Sequence, residues 1–341
     1  MQTKSAVDVV YLWVDGSDPA WRSRRRQAQA RLLPSDQQNL AVHSDVEGRF
    51  RDNDELRFSL RSLEQFFPDH GHVYLVTDRQ TPPWLASHPR LTVIDHRELL
   101  PTAALPTFDS GHIESYIHRI KNLSERYFYF NDDVILGAPL KLEDWFFEGG
   151  VFVSWSKDAP VSDEALQPSA TALENACRRS IAWLRAQAAA LNQAPYAADF
   201  RTFSHAPRPM LKSVLTTLED IAPELFESVR STVFRHWEHP TLVSDFVLRW
   251  SLLHGFAKIK EYRFEHVSTG APDSSELLQS ISQRLGAIDF FCVNDTTDNA
   301  LTNDPRLHSV RNALEAMFPA PSAFEQPEHA SAGSGMAWHS R

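Results

Sequence analysis

At 341 residues and 38.8 kDa the chain exceeds the usual size of one domain, which excludes a minimal binding module and leaves one domain with additions or two closely packed domains. Its 42% hydrophobic and 11% aromatic content supplies a large core and excludes global disorder. The 34 Lys and Arg against 44 Asp and Glu give a net charge of −10, the wrong sign for a general nucleic-acid binder, so only local patches are left to hold anions.

Residues 8–14, DVVYLWV, form a near-continuous apolar and β-branched run ending in Asp15-Gly16-Ser17-Asp18, the pattern of a buried strand followed by a turn. From Asp52 to Phe67 the apolar positions Leu56, Leu60, Leu63 and Phe67 share one helical face, and Asp52 or Asn53 is placed to cap the first turn. HVYLVTD ending at Asp78, LTVIDH through Asp95, and RYFYFNDDV with Asn131, Asp132 and Asp133 at its end repeat the strand pattern. Strands alternating with helices predict a mainly parallel, doubly wound sheet, in which ligands sit beyond the carboxyl ends and the acidic strand ends converge on one rim. After VFVSW at 151–155 the texture turns helical. Residues 172–191 and 210–221 carry apolar positions at helical spacing, Pro223 starts a short helix, and 241–255 reads as another ending near Gly255. Phe290 to Asn294 reads as a short strand leading into an oxygen-rich turn, and the Pro, Ser and Gly mixture at the end as a flexible tail. The chain divides accordingly into an α/β core (1–155), a mostly helical region (156–260), a part completing the core (261–318) and the tail (319–341).

Cys177 and Cys292 are too few and too far apart for a disulfide framework or a Cys-based zinc site, which favours a reducing compartment. The N-terminus MQTKSAVDVVYLWVDG lacks a signal-peptide layout, and no apolar run approaches the ~18 residues that span a bilayer, so a soluble or peripheral protein is expected.

Several groups suggest chemistry, each with a plainer alternative. Asn131-Asp132-Asp133 offers adjacent oxygen ligands for a hard divalent cation; an Asx-type turn accounts for the triplet taken alone, and the strand in front of it raises the metal reading. Asn294 and its acidic neighbours are a second contributor to such a site, not demanded by the pattern. Asp15 follows a hydrophobic strand and Gly16 permits close backbone approach, so they mark a nucleotide pocket or a simple turn; no G-x-G-x-x-G or Walker loop is present. The block from Arg51 to Glu55, with Asn53 and Arg57, opens a helix whose amides attract phosphate oxygens, although capping and i,i+4 pairing explain much of it. His205, beside Pro207 and Pro209, is held stiffly enough to act as a general base, against the default of a structural histidine. Arg235 is a phosphate clamp or a surface arginine, and Asp245 with Arg249 reads as an ordinary ion pair. Arg22, Arg24, Arg25 and Arg26 suit an anionic polymer or membrane surface, or a solvated helix face. Cys292 reads as buried packing, and His236/His239 as a poor zinc pair.

Taken in order, DVVYLWVDGSDP (8–19), RFRDNDELRFSLRSLEQF with VTDRQTPPWL, LPTFDSGHIESYIHRI and YFNDDV (49–134), then SHAPRPM with FRHWEHPTLVSDF, and finally FFCVNDTTD resemble the four conserved blocks of the Stealth family. That family includes bacterial capsular polysaccharide phosphotransferases and resembles the catalytic part of the animal lysosomal-enzyme N-acetylglucosamine-1-phosphotransferase. Arg79 departs from the glycine usual after VTD, and 160–200 carries no family motif. The resemblance implies a Rossmann-like, GT-A-type nucleotide-sugar-binding sheet with a mostly helical insertion, and transfer of a sugar-1-phosphate from a UDP-sugar to an acceptor sugar hydroxyl with release of UMP. It implies His205 as base, Arg235 on the phosphoryl group, and Asp133, Asp132 and Asn294 on Mg2+ or Mn2+. Asp15, Gly16, Asn53, Arg57 and Asn131 would line the donor pocket; His112 and His118 lie in matched motifs without a fixed role. The expected partners are the UDP-sugar and a growing capsular or surface polysaccharide, with no nucleic acid. The expected place is the cytoplasm, with a peripheral position at the inner membrane left open. The rival readings are a conventional glycosyltransferase releasing UDP and a non-catalytic nucleotide-sugar or polysaccharide-binding protein.

Overall fold

The apolar runs at 8, 73, 91 and 126 pair side by side in a computed structural model that describes residues 6–239, 241–295, 297–300 and 304–327. Among these the strands are, in chain order, β1 (Asp8–Leu12), β2 (Val73–Thr77), β3 (Leu91–Asp95), β4 (Arg126–Asn131), β5 (Val134–Leu136), β6 (Phe146–Phe147), β7 (Gly150–Val153), β8 (Arg208–Leu211), β9 (Ala257–Ile259), β10 (Phe264–Ser268) and β11 (Phe290–Asn294). The main sheet has the order β3-β2-β1-β4-β8, its first four strands parallel and β8 antiparallel at one edge. All five residues of β2 and the first four of β1 are buried, because helices cover both faces; this is why the runs are apolar throughout instead of alternating. The chain steps outward from β1 to β2 and β3, then returns to place β4 on the other side of β1. This switch point opens a crevice beyond the carboxyl ends of β1 and β4. The architecture is α/β, as predicted.

The helix Glu55–Phe66 buries Leu56, Leu60 and Leu63 against the sheet and uses small polar residues to fix its height. Ser59 Oγ donates to Val134 O at 2.6 Å and meets the Tyr11 hydroxyl at 3.0 Å, while Ser62 Oγ accepts from Leu136 N at 3.0 Å. Its start differs from the expectation. Neither Asp52 nor Asn53 caps it: Asp54, at φ +67°, is the capping residue without a side-chain bond, and Asp52 Oδ1 accepts from Asp54 N at 3.0 Å in the preceding turn.

The helices Ala172–Ala190, Lys212–Ile221, Pro223–Arg230 and Val247–Leu253 place Leu184, Leu215, Leu218, Leu225 and Val247 in the same buried cluster as the main sheet, so the helical region packs onto the core and shares it. The run 210–221 is only partly helical, since Met210 and Leu211 finish β8. In 241–255 one π-helical turn, Leu242–Phe246, precedes the α-helix. Asp245 and Arg249 form the expected pair, 2.8 Å apart, but fully buried, and Arg249 also donates to Arg201 O and approaches Cys177 Sγ at 3.0 Å. A second cluster joins β5, β10 and β11 to the helices Ser274–Gln283 and Pro305–Met317.

The start of the expected tail is docked. Phe324 is buried in the main cluster, and Glu325 accepts from Arg57 Nε at 2.5 Å and from Arg61 Nε at 2.7 Å; the surface i,i+4 pairing expected for the two arginines is replaced by this shared, buried acceptor. Residues 328–341 of that expectation lie outside the described residues.

Candidate active site

Beyond β1 and β4 lies a cavity of about 390 Å³. Trp13 and Val14 follow β1 into it, Asn131 ends β4 and Asp132 and Asp133 follow it, and segments distant in sequence complete it: Gly48–Arg51 with Glu55, His205 and Arg208, Arg235, and Val293–Asp295.

His205 is positioned by the strand geometry on either side of it. Ser204 N donates to Ser154 O and Ser156 N to Thr202 O, at 2.9 and 2.8 Å, and Phe203 stacks on Trp155 with centroids 4.5 Å apart. The chain then enters β8, which pairs with β4 from Arg208 opposite Tyr129. This brings His205 Nε2 to 3.2 Å from Asp133 Oδ1 and 3.2 Å from Asn131 Nδ2. Cys292 Sγ lies 3.2 Å from the other Asp133 oxygen.

One wall is acidic. Burial, with Asp133 and Asp52 nearby, pushes Asp132 well above the usual carboxylate range. Burial likewise raises Glu55 and Asp52 to about 8. Burial acts on Asp133 too, but the His205 imidazole and the Cys292 thiol outweigh it and hold that carboxyl low. Arginines line the same cavity. Arg235 donates to Asp109 Oδ1 at 3.2 Å and Ser110 Oγ at 2.6 Å, and Arg49 donates to the same Ser110 hydroxyl at 3.2 Å. Burial and the neighbouring Arg235 lower Arg49 to about 10, which leaves it charged at neutral pH.

The residues present fit a divalent cation. Asp133, His205 and Cys292 each offer a ligand atom, all within 4.8 Å of one another, and of the three the Asp133 carboxylate is the one that suits a hard cation. Asn131 Oδ1 is buried without a hydrogen-bond partner among the described residues. Burial, with neighbouring carboxylates, favours the protonated form of Asp132 and Glu55, and a bound cation would favour loss of those protons. Asp132 and Asn294 border the same cavity.

The structure therefore brings His205, Arg235, Asn131, Asp132, Asp133 and Asn294 together around one cavity. It does not bring Asp15, Gly16, Asn53 and Arg57 into the lining. Asp15 Oδ1 accepts from Ser17 N at 2.8 Å, and its backbone is bridged on both sides by the Gln80 amide. The close approach that Gly16 permits is to Phe50: its N–H donates to Phe50 O at 2.6 Å, and a Cβ there would lie 2.3 Å from that oxygen. Asn53 binds Glu55 through both its backbone N–H and its amide, at 2.6 and 2.8 Å, and Arg57 binds Glu325. His112 and His118 also lie outside the lining, held at 2.7 Å from Thr232 O and 2.6 Å from Glu219. Sequence reasoning missed Arg49, Glu55, Glu114 and Arg208 and read Cys292 as packing alone. Glu55 stood in the block that was singled out, and Arg208 follows His205 by three residues; their types alone carry no direction.

Of the basic run, Arg24 pairs with Asp78 at 2.8 Å, Arg25 with Asp45 and Glu47 at 2.8 Å each, and Arg22 approaches Glu47 at 3.8 Å, so these three serve internal contacts. No helix among the described residues is long and apolar enough to cross a membrane.

Conserved regions 1, 2 and 4 of the Stealth proteins match residues 6–32, 49–153 and 282–333, in that order. The chain belongs to the Stealth family. Region 2 supplies the Asn131–Asp133 rim and Glu55, and region 4 supplies Cys292 to Asp295. Among relatives, the exopolysaccharide phosphotransferase SCO6023 of Streptomyces coelicolor is 35% identical over 332 residues, which is 95% of this chain and 53% of that protein. The exopolysaccharide phosphotransferase CpsY of Mycobacterium tuberculosis is 32% identical over 324 residues, 94% of this chain and 58% of that one. The Stealth chain thus spans little more than half the length of these relatives. Of solved structures, the galactosyltransferase LgtC bound to donor and acceptor sugar analogues aligns over 95% of this chain and 98% of its own, with 9% identity and a TM-score of 0.43.

Proposed function

We propose that the protein is a surface-polysaccharide hexose-1-phosphate transferase, which moves a sugar-1-phosphate from a UDP-sugar to an acceptor sugar hydroxyl and releases UMP. The observation that carries this reading is the single cavity that His205, 3.2 Å from Asp133, shares with Arg49, Arg208 and Arg235. Attack at the β-phosphorus requires a base for the hydroxyl and positive charge for the phosphate oxygens, and the imidazole and the guanidinium groups supply these separately. The relatives named as exopolysaccharide phosphotransferases point the same way.

In this reading His205 Nδ1 takes the acceptor hydroxyl proton as the new O–P bond forms, and Asp133, 3.2 Å from the other ring nitrogen Nε2, orients the ring and stabilises the imidazolium. The bridging O–P bond breaks, UMP departs with that oxygen, and the proton passes from His205 to solvent. Arg235 and Arg49 offset charge on the non-bridging oxygens. Asp133, Asp132 and Asn294, with Asn131 beside them, would hold Mg2+ or Mn2+, which supplies charge neutralisation of the diphosphate. Asp15, Gly16, Asn53 and Arg57 act at most through the turns they shape, since each faces a protein partner. The acceptor is a growing capsular or surface polysaccharide, and a cytoplasmic enzyme with this task works beside the inner membrane.

The test is product analysis. Purified protein incubated with magnesium, a short oligosaccharide primer and each of several UDP-sugars should release UMP and form a phosphodiester. Release of UDP alone would make it a conventional glycosyltransferase, and donor binding without turnover on any primer would make it a binding protein.

A further inference from the structure

Arg208 is a buried cation with no ion-pair partner among the described residues. It opens β8 directly across the ladder from Tyr129, its guanidinium carbon 6.0 Å from that ring's centroid. It is 4% exposed, it borders the cavity, and its Nε is buried without a hydrogen-bond partner among the described residues. Of the other buried arginines, Arg25 pairs with Asp45 and Glu47, Arg61 with Glu325 and Arg249 with Asp245. Arg178 has no carboxylate partner among the described residues but donates to Ser162 and Asn175; Arg208 has neither. Glu114, which also borders the cavity, accepts through Oε1 from the Tyr129 hydroxyl at 2.9 Å, and its Oε2 is likewise unpartnered among the described residues. A guanidinium cannot escape burial by losing its proton, as a carboxyl group or an imidazole can. Leaving one buried and unpaired is strongly unfavourable unless an anion arrives.

The geometry restricts where that anion sits. Residues opposite one another in an antiparallel ladder share a face, and Tyr129 shares its face with Asn131 two residues on. Arg208 therefore lies one step below the rim that carries Asn131 and His205, and it borders the same cavity as Arg49 and Arg235.

We propose that Arg208 binds a phosphate oxygen from inside the cavity, as an anion-binding residue additional to Arg235. The inference rests on the transferase reading only for the source of the phosphate: the donor's own diphosphate, or a phosphodiester already present in the acceptor.

Titration of the full chain with inorganic pyrophosphate tests it without requiring turnover, so failure of the transferase reading would leave the result interpretable. The Arg208→Gln variant should bind pyrophosphate roughly 10- to 100-fold more weakly, as expected for loss of charge-assisted hydrogen bonds. It should melt no lower than the parent, because an unpaired buried charge has been removed. Equal pyrophosphate affinity in parent and variant overturns the proposal, as does a lowered melting temperature with affinity retained, or no pyrophosphate binding by the parent. Should Arg208→Gln not fold, Arg208→Met removes the charge and keeps the length of the stem; an affinity unchanged from the parent would again refute it. Once turnover is established, a rise in KM for the UDP-sugar alone in the variant assigns the phosphate to the donor. A rise confined to primers that contain a phosphodiester, absent for neutral primers, assigns it to the acceptor.

Discussion

The contact between His205 and Asp133 joins residues 72 positions apart, and each has a separate task in the proposed reaction. His205→Ala removes the base and Asp133→Asn weakens both cation binding and the hold on the imidazole; each should lower UMP release by roughly 10²- to 10⁴-fold. Both side chains are partly exposed to the cavity, so melting temperatures should shift little, and full activity in either variant would remove that residue from the mechanism. The residues that meet here were legible because each stood beside a strong local signal: a triplet of oxygen ligands at the end of an aromatic strand, a histidine among prolines. Asp15 and Asn53 show the limit of such signals. Asx residues in turns satisfy backbone donors wherever they occur, and the sequence does not say whether a ligand is also in reach. Arg79 is instructive in the other direction. At φ +59° it occupies the left-handed region that costs glycine least, which gives a physical reason for the glycine expected there.

Glu325 ties the end of the described chain to the helix Glu55–Phe66, whose first residue borders the cavity. Arg57 and Arg61 lie on one face of that helix, and Glu325 is buried between them. Glu325→Ala leaves the buried Arg61 without its main partner and should destabilise the protein by about 3 to 5 kcal/mol, read as a lowered urea midpoint at unchanged slope. A change below about 1 kcal/mol would show that the docked segment contributes little. Periodicity identified this helix and the parallel strands because burial on one face, or on two, imposes a spacing that survives in the sequence. It failed for β8 and for residues 321–327, whose places are set by partners elsewhere: Tyr129 in β4 for the one, the two arginines for the other. No local pattern records a partner 264 residues away.

The molecule also carries buried histidines whose neutrality the fold enforces. Burial lowers His70, His96 and His239 from 6.5 to about 4. Between those values the unfolded chain binds protons that the folded one excludes, so each such group contributes stability at neutral pH that is lost as pH falls from 6.5 towards 4. For His70, distant from the cavity lining, the effect is separable. The parent should lose stability relative to His70→Gln across that window, by up to about 1.4 kcal/mol per pH unit. Parallel stability profiles for the two proteins would show that His70 titrates normally in the fold. Contributions from 48–55, 131–133, 205–208, 235 and 292–295 mean that the site exists only when nearly the whole chain is in place.

β8 is an edge strand, and edges are where sheets recruit foreign chains. Here the strand that seals this margin follows His205, the proposed base, by three residues and begins with Arg208. A molecule with that margin bare, ready to aggregate, is therefore also chemically inert, and recovery of turnover after denaturation should report closure of the sheet itself.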